Sequence, residues 1–181
     1  MRKSAVWSGV ALSLLLFSAA AAQGRRSADC VAHSTPRDLR QALAIAAPSA
    51  QQMQAAIAPD QLKTLEAACG LADSPASIAL VSDALKAEAL VGWAIRGLRQ
   101  ADPVDEKLLN TGYLMLSAAT RAELSKGLQI VPSDAAITEF TAWAESLKVE
   151  AGPGRSFLIL YCFGRGTLEH VNEQIAATPQ I

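Results

Sequence analysis

The chain contains 181 residues, of which 51% are hydrophobic and 18% are charged, with 16 basic residues against 17 acidic ones. This length allows one domain of ordinary size. The high apolar content excludes a disordered chain, while 11 glycines and three cysteines exclude a collagen-like fibre and a disulfide-dense miniprotein. The composition therefore indicates a globular domain.

The first 22 residues have the layout of a secretory signal peptide. Arg2 and Lys3 give a positive start, residues 5–17 are almost wholly apolar, and the small residues 19–22 suit a signal peptidase. Because the apolar stretch is short for a membrane span of about 20 residues, we expect cleavage after Ala22. The mature protein would then be periplasmic or secreted, without a stable membrane span. A retained membrane anchor is the alternative.

The charge that remains after cleavage argues against two classes of partner. Removal of residues 1–22 leaves 14 basic residues against 17 acidic ones, a net charge of −3. The basic residues are dispersed, whereas nucleic-acid binding needs clustered Lys and Arg. We therefore expect neither a nucleic-acid partner nor electrostatic binding to a membrane surface.

Proline, glycine and capping residues indicate a series of helices. The longest predicted helix begins at Ser74 and Pro75 and runs toward Gln100, with apolar residues on several sides, which is typical of a central helix. Thr120 followed by Glu123 predicts a capping box. The sequence thus predicts an all-α fold, a single compact domain of seven or eight short helices. The predicted signal peptide, mobile lead, helical domain and tail cover residues 1–22, 23–34, 35–178 and 179–181.

The run Phe157–Phe163 is continuously apolar and too short for its period to distinguish a buried strand from a core helix. Since no second strand is available to pair with it, we predict a helix. Gly164 and Gly166 then predict a turn, and Thr167 predicts the N-cap of a last, separate helix.

Export changes the interpretation of the three cysteines. Outside the cytosol thiols tend to pair, so we expect one disulfide among Cys30, Cys69 and Cys162. Cys69 is the favoured participant, because it lies on an apolar helix face just before Gly70. The pairings Cys30–Cys69 and Cys69–Cys162 are equally favoured, and three buried thiols are the alternative.

The segment after Cys162 holds the candidate binding site. Two glycines before a capped helix would let backbone N–H groups approach an anion, with the charge of Arg165 and the helix dipole assisting. The candidate binding residues are Arg165, Thr167 and His170. The alternative is a turn that joins two packed segments and binds nothing.

Catalytic and metal sites have little support in the sequence. A Cys162 nucleophile would need His33 or His170 as its base, yet His170 is predicted to face solvent and Cys162 the core. Two histidines and three cysteines without a short-spaced pair do not form a zinc pattern. We therefore predict no catalytic residue, no metal and no cofactor.

These observations favour an exported helical binding or interaction protein, such as a chaperone, an inhibitor or an envelope adaptor. Alanine-rich helices approach closely and leave shallow apolar grooves, which suit a protein partner or a small apolar ligand. Two other functions remain open. One is a small periplasmic hydrolase that uses Cys162, and the other is a membrane-anchored structural component of the envelope.

Overall fold

The computed structural model describes residues 26–126 and 131–178. These residues form nine helices and no strand, which confirms the all-α prediction with one or two helices more than expected. The predicted signal peptide and the tail 179–181 lie outside the described residues. In chain order the helices are α1 (Ala28–Ser34), α2 (Arg37–Ala46), α3 (Ala50–Ala56), α4 (Pro59–Ala68), α5 (Pro75–Ala101), α6 (Glu106–Met115), α7 (Ala118–Leu124), α8 (Asp134–Ser146) and α9 (Pro153–Ala177).

The two longest helices, α5 and α9, form the centre of the fold. They run antiparallel, because Gly97 of α5 lies against Phe157 while Ala87 lies against Gly164. Helices α1, α2 and α4 pack on α5, and α7 packs between α9 and α8. The prediction of a central helix after Ser74 is confirmed. No helix of the described part of the chain is long and apolar enough to cross a membrane.

Residues that favour helix starts stand at the first turns of several helices. The Ser74 hydroxyl accepts a hydrogen bond from the backbone N–H of Ser77. Pro75 occupies the first turn of α5, where a backbone N–H would have no acceptor within the helix, so its lack of an N–H costs no hydrogen bond. Helix α4 begins at Pro59 and is followed by Gly70, whose positive φ of 62° ends it. Local capping chemistry therefore sets these boundaries.

The segment expected to be a mobile lead contains α1. Ala28 and Val31 are buried, at 1% and 0% exposure, and the backbone N–H of Ala28 donates to Oδ1 of Asn172 on α9, 2.8 Å away. A helix of seven residues is too short to show a clear period in the sequence. The packed domain therefore extends before residue 35.

A disulfide joins α1 to the end of α4. It links Cys30 to Cys69, whose Cα atoms are 5.8 Å apart. The structure thus selects one of the two pairings that the sequence favoured equally. Cys162 is left as a free, fully buried thiol on α9.

The C-terminal part of the chain is one continuous helix where we predicted a helix, a turn and a second helix. Residues 157–163 are helical as predicted, but α9 continues through Gly164 and Gly166 without a break. Thr167 is not an N-cap, because its hydroxyl donates to the carbonyl oxygen of Phe163 one turn earlier, at 2.9 Å. The predicted turn is wrong.

Gly164 and Gly166 mark helix crossings rather than a loop. A Cβ on Gly164 would overlap Val91 and press on the α5 backbone, and a Cβ on Gly166 would overlap Ser125 just after α7. Both positions need glycine because a neighbouring chain segment comes too close for a side chain.

Two carboxylates cross-cap α7 and α8. The N-cap of α7 is Ser117, not Thr120, so the predicted capping box is wrong. Glu123 accepts hydrogen bonds from the backbone N–H (2.6 Å) and hydroxyl (3.0 Å) of Ser133, the N-cap of α8. Glu139 of α8 accepts the equivalent pair from Ser117, at 2.6 and 2.8 Å. These bonds lower the pKa of both carboxyl groups.

Candidate functional site

A cleft of about 240 Å³ lies between α1, α2 and α5, and we call it the α5 cleft. Its walls combine apolar and charged side chains. The residues that matter for its chemistry are Leu43, Leu85 and Ala89 on the apolar side and Arg40, Glu88 and Arg96 on the polar side.

One face of α5 forms the floor of the α5 cleft. Glu88, Gly92 and Arg96 are spaced four residues apart, which places them one above another on the helix. Gly92 has no side chain, and a Cβ there would meet only Nη1 of Arg96, at 3.5 Å. The floor is therefore open between the carboxylate and the guanidinium.

Two guanidinium groups lie on the rim of the α5 cleft. Nη2 of Arg96 donates to the carbonyl oxygen of Ala44 on α2, at 3.2 Å, which ties this side chain across the cleft. A guanidinium carries five N–H donors, so the others stay available to a ligand. Arg40 lines the cleft from α2 and is exposed.

Glu88 is half-buried and, among the described residues, has no hydrogen-bond or ion-pair partner. Burial raises the pKa of its carboxyl group. Arg165 of α9 acts in the opposite direction, Asp29 of α1 reinforces the rise, and His33 opposes it. A carboxylate partly removed from water and left without a partner is unfavourable for the protein, and such groups concentrate at functional sites.

The structure does not bring together the three candidate residues from the sequence. The guanidinium carbon of Arg165 lies 5.9 Å from the ring centre of Tyr113. The Thr167 hydroxyl is bound to its own helix, and His170 lies in a different cleft. Because α9 is continuous, successive residues are about 100° apart and there is no helix N-terminus at Thr167. The helix N-terminus that the anion-binding hypothesis required is therefore wrong, while ligand binding by Arg165, Thr167 and His170 themselves stays a prediction.

The second cleft, of about 230 Å³, lies between α7 and α9 and is lined by Arg121, Glu169, His170 and Glu173. Its cation already has partners within the protein. Nε of Arg121 lies 3.6 Å from Oε2 of Glu169, and its Nη1 donates to the carbonyl oxygen of Leu116 at 2.7 Å. Arg121 and Glu169 of this cleft are therefore already engaged within the protein.

Two further titratable side chains, Cys162 and Tyr161, are buried in the core. Burial raises the pKa of the Cys162 thiol, so little thiolate forms near neutral pH. His170 and His33 are exposed on other faces. Burial also raises the pKa of Tyr161 to about 12, and its hydroxyl donates to Oδ1 of Asn110 at 2.5 Å. In the described residues no three His, Cys, Asp or Glu side chains could hold a metal ion.

Sequence reasoning missed the residues of the α5 cleft. A signal was present in the pattern Glu88, Gly92 and Arg96, since charged residues on a helix predicted to be central must reach an opening in the packing. The contribution of Arg40 had no such signal, because it comes from a different helix.

Comparisons with protein-family models, with curated proteins and with solved structures found no match to this chain. The geometry of the α5 cleft is therefore the basis for a functional proposal.

Proposed function

We propose that the protein is an exported binding protein that holds a small, partly apolar organic ligand in the α5 cleft. The observation that carries this proposal is that one open cleft combines apolar walls with charged side chains, Glu88, Arg96 and Arg40, that form no ion pair among the described residues. Ligand sites are typically apolar with a few polar groups that fix orientation. The volume of about 240 Å³ is below the usual range of roughly 300–1,000 Å³, which favours a small ligand.

Two features support export. Residues 1–22 have the layout of a signal peptide, and the Cys30–Cys69 disulfide is of a kind that persists in oxidising compartments. The intact mass of the protein from an envelope fraction tests this. A product that begins at Gln23 supports export and cleavage, whereas a membrane-bound product that retains residues 1–22 supports the structural envelope component.

The hydrolase alternative receives no support from the structure. It requires a reactive Cys162, yet this thiol is fully buried, and burial raises its pKa. A nucleophile must be reachable and largely deprotonated or paired with a base. The core position of Cys162 is better explained as packing between α9 and its neighbours.

A thermal-shift screen tests ligand binding in the α5 cleft. The purified protein is heated with small carboxylates, amines and zwitterions of four to six carbon atoms, and binding to the folded state raises Tm. Gly92→Leu fills the floor of the α5 cleft and should abolish the rise. Ala122→Leu adds similar bulk to the second cleft and should leave the rise unchanged.

Two results would contradict the proposal. The first is a panel in which no compound raises Tm. The second is a rise that persists in Gly92→Leu and disappears in Ala122→Leu, since the ligand would then occupy the cleft between α7 and α9.

A further inference from the structure

We infer that the α5 cleft selects a small zwitterion, whose carboxylate faces the guanidinium of Arg96 and whose ammonium group faces Glu88. This inference rests on the proposed function and names its ligand class.

The first argument is that Arg96 and Glu88 share a face and do not pair with each other. Nη1 of Arg96 lies beside the position of a Gly92 Cβ, about one helix turn of 5.4 Å from Glu88 along α5. No ion pair joins the two side chains within 4 Å among the described residues, and Arg96 is instead directed to Ala44. A guanidinium placed only to neutralise Glu88 would contact it directly.

The second argument is the balance of charge that a ligand would create. An anion alone would satisfy Arg96 and Arg40 but leave the half-buried Glu88 without a contact partner, because Arg165 acts on it only from beyond ion-pair distance. A cation alone would satisfy Glu88 and add to the positive charge of the rim. A zwitterion provides a charge-assisted hydrogen bond at both ends, while its alkyl part covers Leu43 and Leu85.

The open floor between the two charges is the third argument. Gly92 is the residue that separates Glu88 from Arg96 on this face, and a side chain there would occupy the space between the two ends of the ligand. Glycine in the middle of a helix is unfavourable by up to about 1 kcal/mol relative to alanine. Gly92 thus lowers the stability of α5 at the point where a short ligand would bridge the carboxylate and the guanidinium.

Calorimetric titration with compounds of matched skeleton tests the inference. Leucine is compared with 4-methylpentanoate, which lacks the amine, and with 3-methylbutylamine, which lacks the carboxylate. The straight-chain set is 5-aminopentanoate, pentanoate and butylamine. At least one zwitterion should bind about 10-fold more tightly than either of its singly charged analogues, as expected for a hydrogen bond between charged groups.

Two variants assign the ammonium end to Glu88. In Glu88→Gln the affinity for the zwitterion should fall about 10-fold, to that of the matching acid, while binding of the acid itself is retained. Asp83→Asn removes a carboxylate from an exposed position of the same helix, where its ion pair with Lys86 is 4.0 Å long. This control should bind like the unmodified protein.

The outcomes separate the inference from the proposed function. If an acid or an amine binds as tightly as its zwitterion, or if Glu88→Gln binds the zwitterion unchanged, the inference fails and the α5 cleft remains a binding site. If no member of either set binds, the inference and the proposed function fail together.

Discussion

Glu88 is a residue at which binding and stability oppose each other. Because burial raises its pKa, the folded protein holds a proton on this carboxyl more tightly than the unfolded chain does. Folding therefore loses free energy as the pH rises from the ordinary carboxyl pKa through the raised one, and the loss is complete above it. Nearby charged groups act in both directions: Arg165 on α9, and Asp29 and His33 on α1.

We expect Glu88→Gln to raise Tm near pH 7. Near pH 4 it should have little effect, because the Glu88 carboxyl is then largely protonated in both the folded and the unfolded protein. Thermal unfolding at the two pH values measures the difference, with Asp83→Asn as the control that should change Tm at neither. A Glu88→Gln variant that melts below the unmodified protein near pH 7 would show that the ionised carboxylate stabilises the fold.

Cys162 provides a second prediction at the scale of one side chain. Its exposure is 0% and burial raises its pKa, so a thiol reagent should not react with the native protein. Without reductant, unfolding should release one thiol, and unfolding with reductant should release three, because Cys30 and Cys69 are paired. A rapid reaction of one thiol in the native state would contradict the buried position of Cys162 and would support the hydrolase alternative.

Two glycines on the central helices should respond to alanine in opposite ways. At Gly92 a Cβ finds only an ordinary contact with Arg96, so the better helix propensity of alanine dominates. At Gly164 a Cβ would overlap Val91 and press on the backbone of α5, which cannot yield without moving the helix.

We expect Gly92→Ala to raise the free energy of unfolding by about 0.5–1 kcal/mol and Gly164→Ala to lower it by about 1–3 kcal/mol. Urea unfolding of the two variants measures both changes. Equal effects would mean that α5 and α9 are not closely packed at Gly164, and that the continuous α9 does not depend on this crossing.

Helix starts could be predicted from the sequence, whereas the continuity of α9 could not. The hydroxyls of Ser74 and Ser133 cap α5 and α8 through bonds within the first turn, and Pro59 occupies the first turn of α4, where a proline is tolerated. These starts therefore follow from local chemistry. The continuity of α9 does not, because a Gly-x-Gly pattern locally favours a turn. Packing of Gly164 against α5 outweighs that preference, and packing of this kind is invisible until the partner helix is known.

For the molecule as a whole, the sequence predicted the class of fold but not the contacts between residues that are distant in the sequence. Arg40 and Leu43 of α2 precede Glu88 of α5 by more than 40 residues in the sequence, and no periodicity within either helix brings them together. The choice of Cys30 rather than Cys162 as the partner of Cys69 is of the same kind. It depends on α1 packing beside α4, in a segment expected to be mobile.

The Cys30–Cys69 bond should be the largest single contribution to the stability of the region around α1. It closes a sequence separation of 39 residues, for which the loss of chain entropy in the unfolded state corresponds to about 4 kcal/mol.

We expect the double variant Cys30→Ala/Cys69→Ala to lose roughly that free energy of unfolding in urea. The unmodified protein in reductant should unfold near the urea concentration of the double variant, because both lack the covalent link between α1 and the end of α4. Since Ala32 and Thr35 line the α5 cleft from α1 and the turn after it, reduction should also weaken the binding of any cleft ligand. Unchanged stability after reduction would show that α1 is held by its packing on α5 and α9 alone.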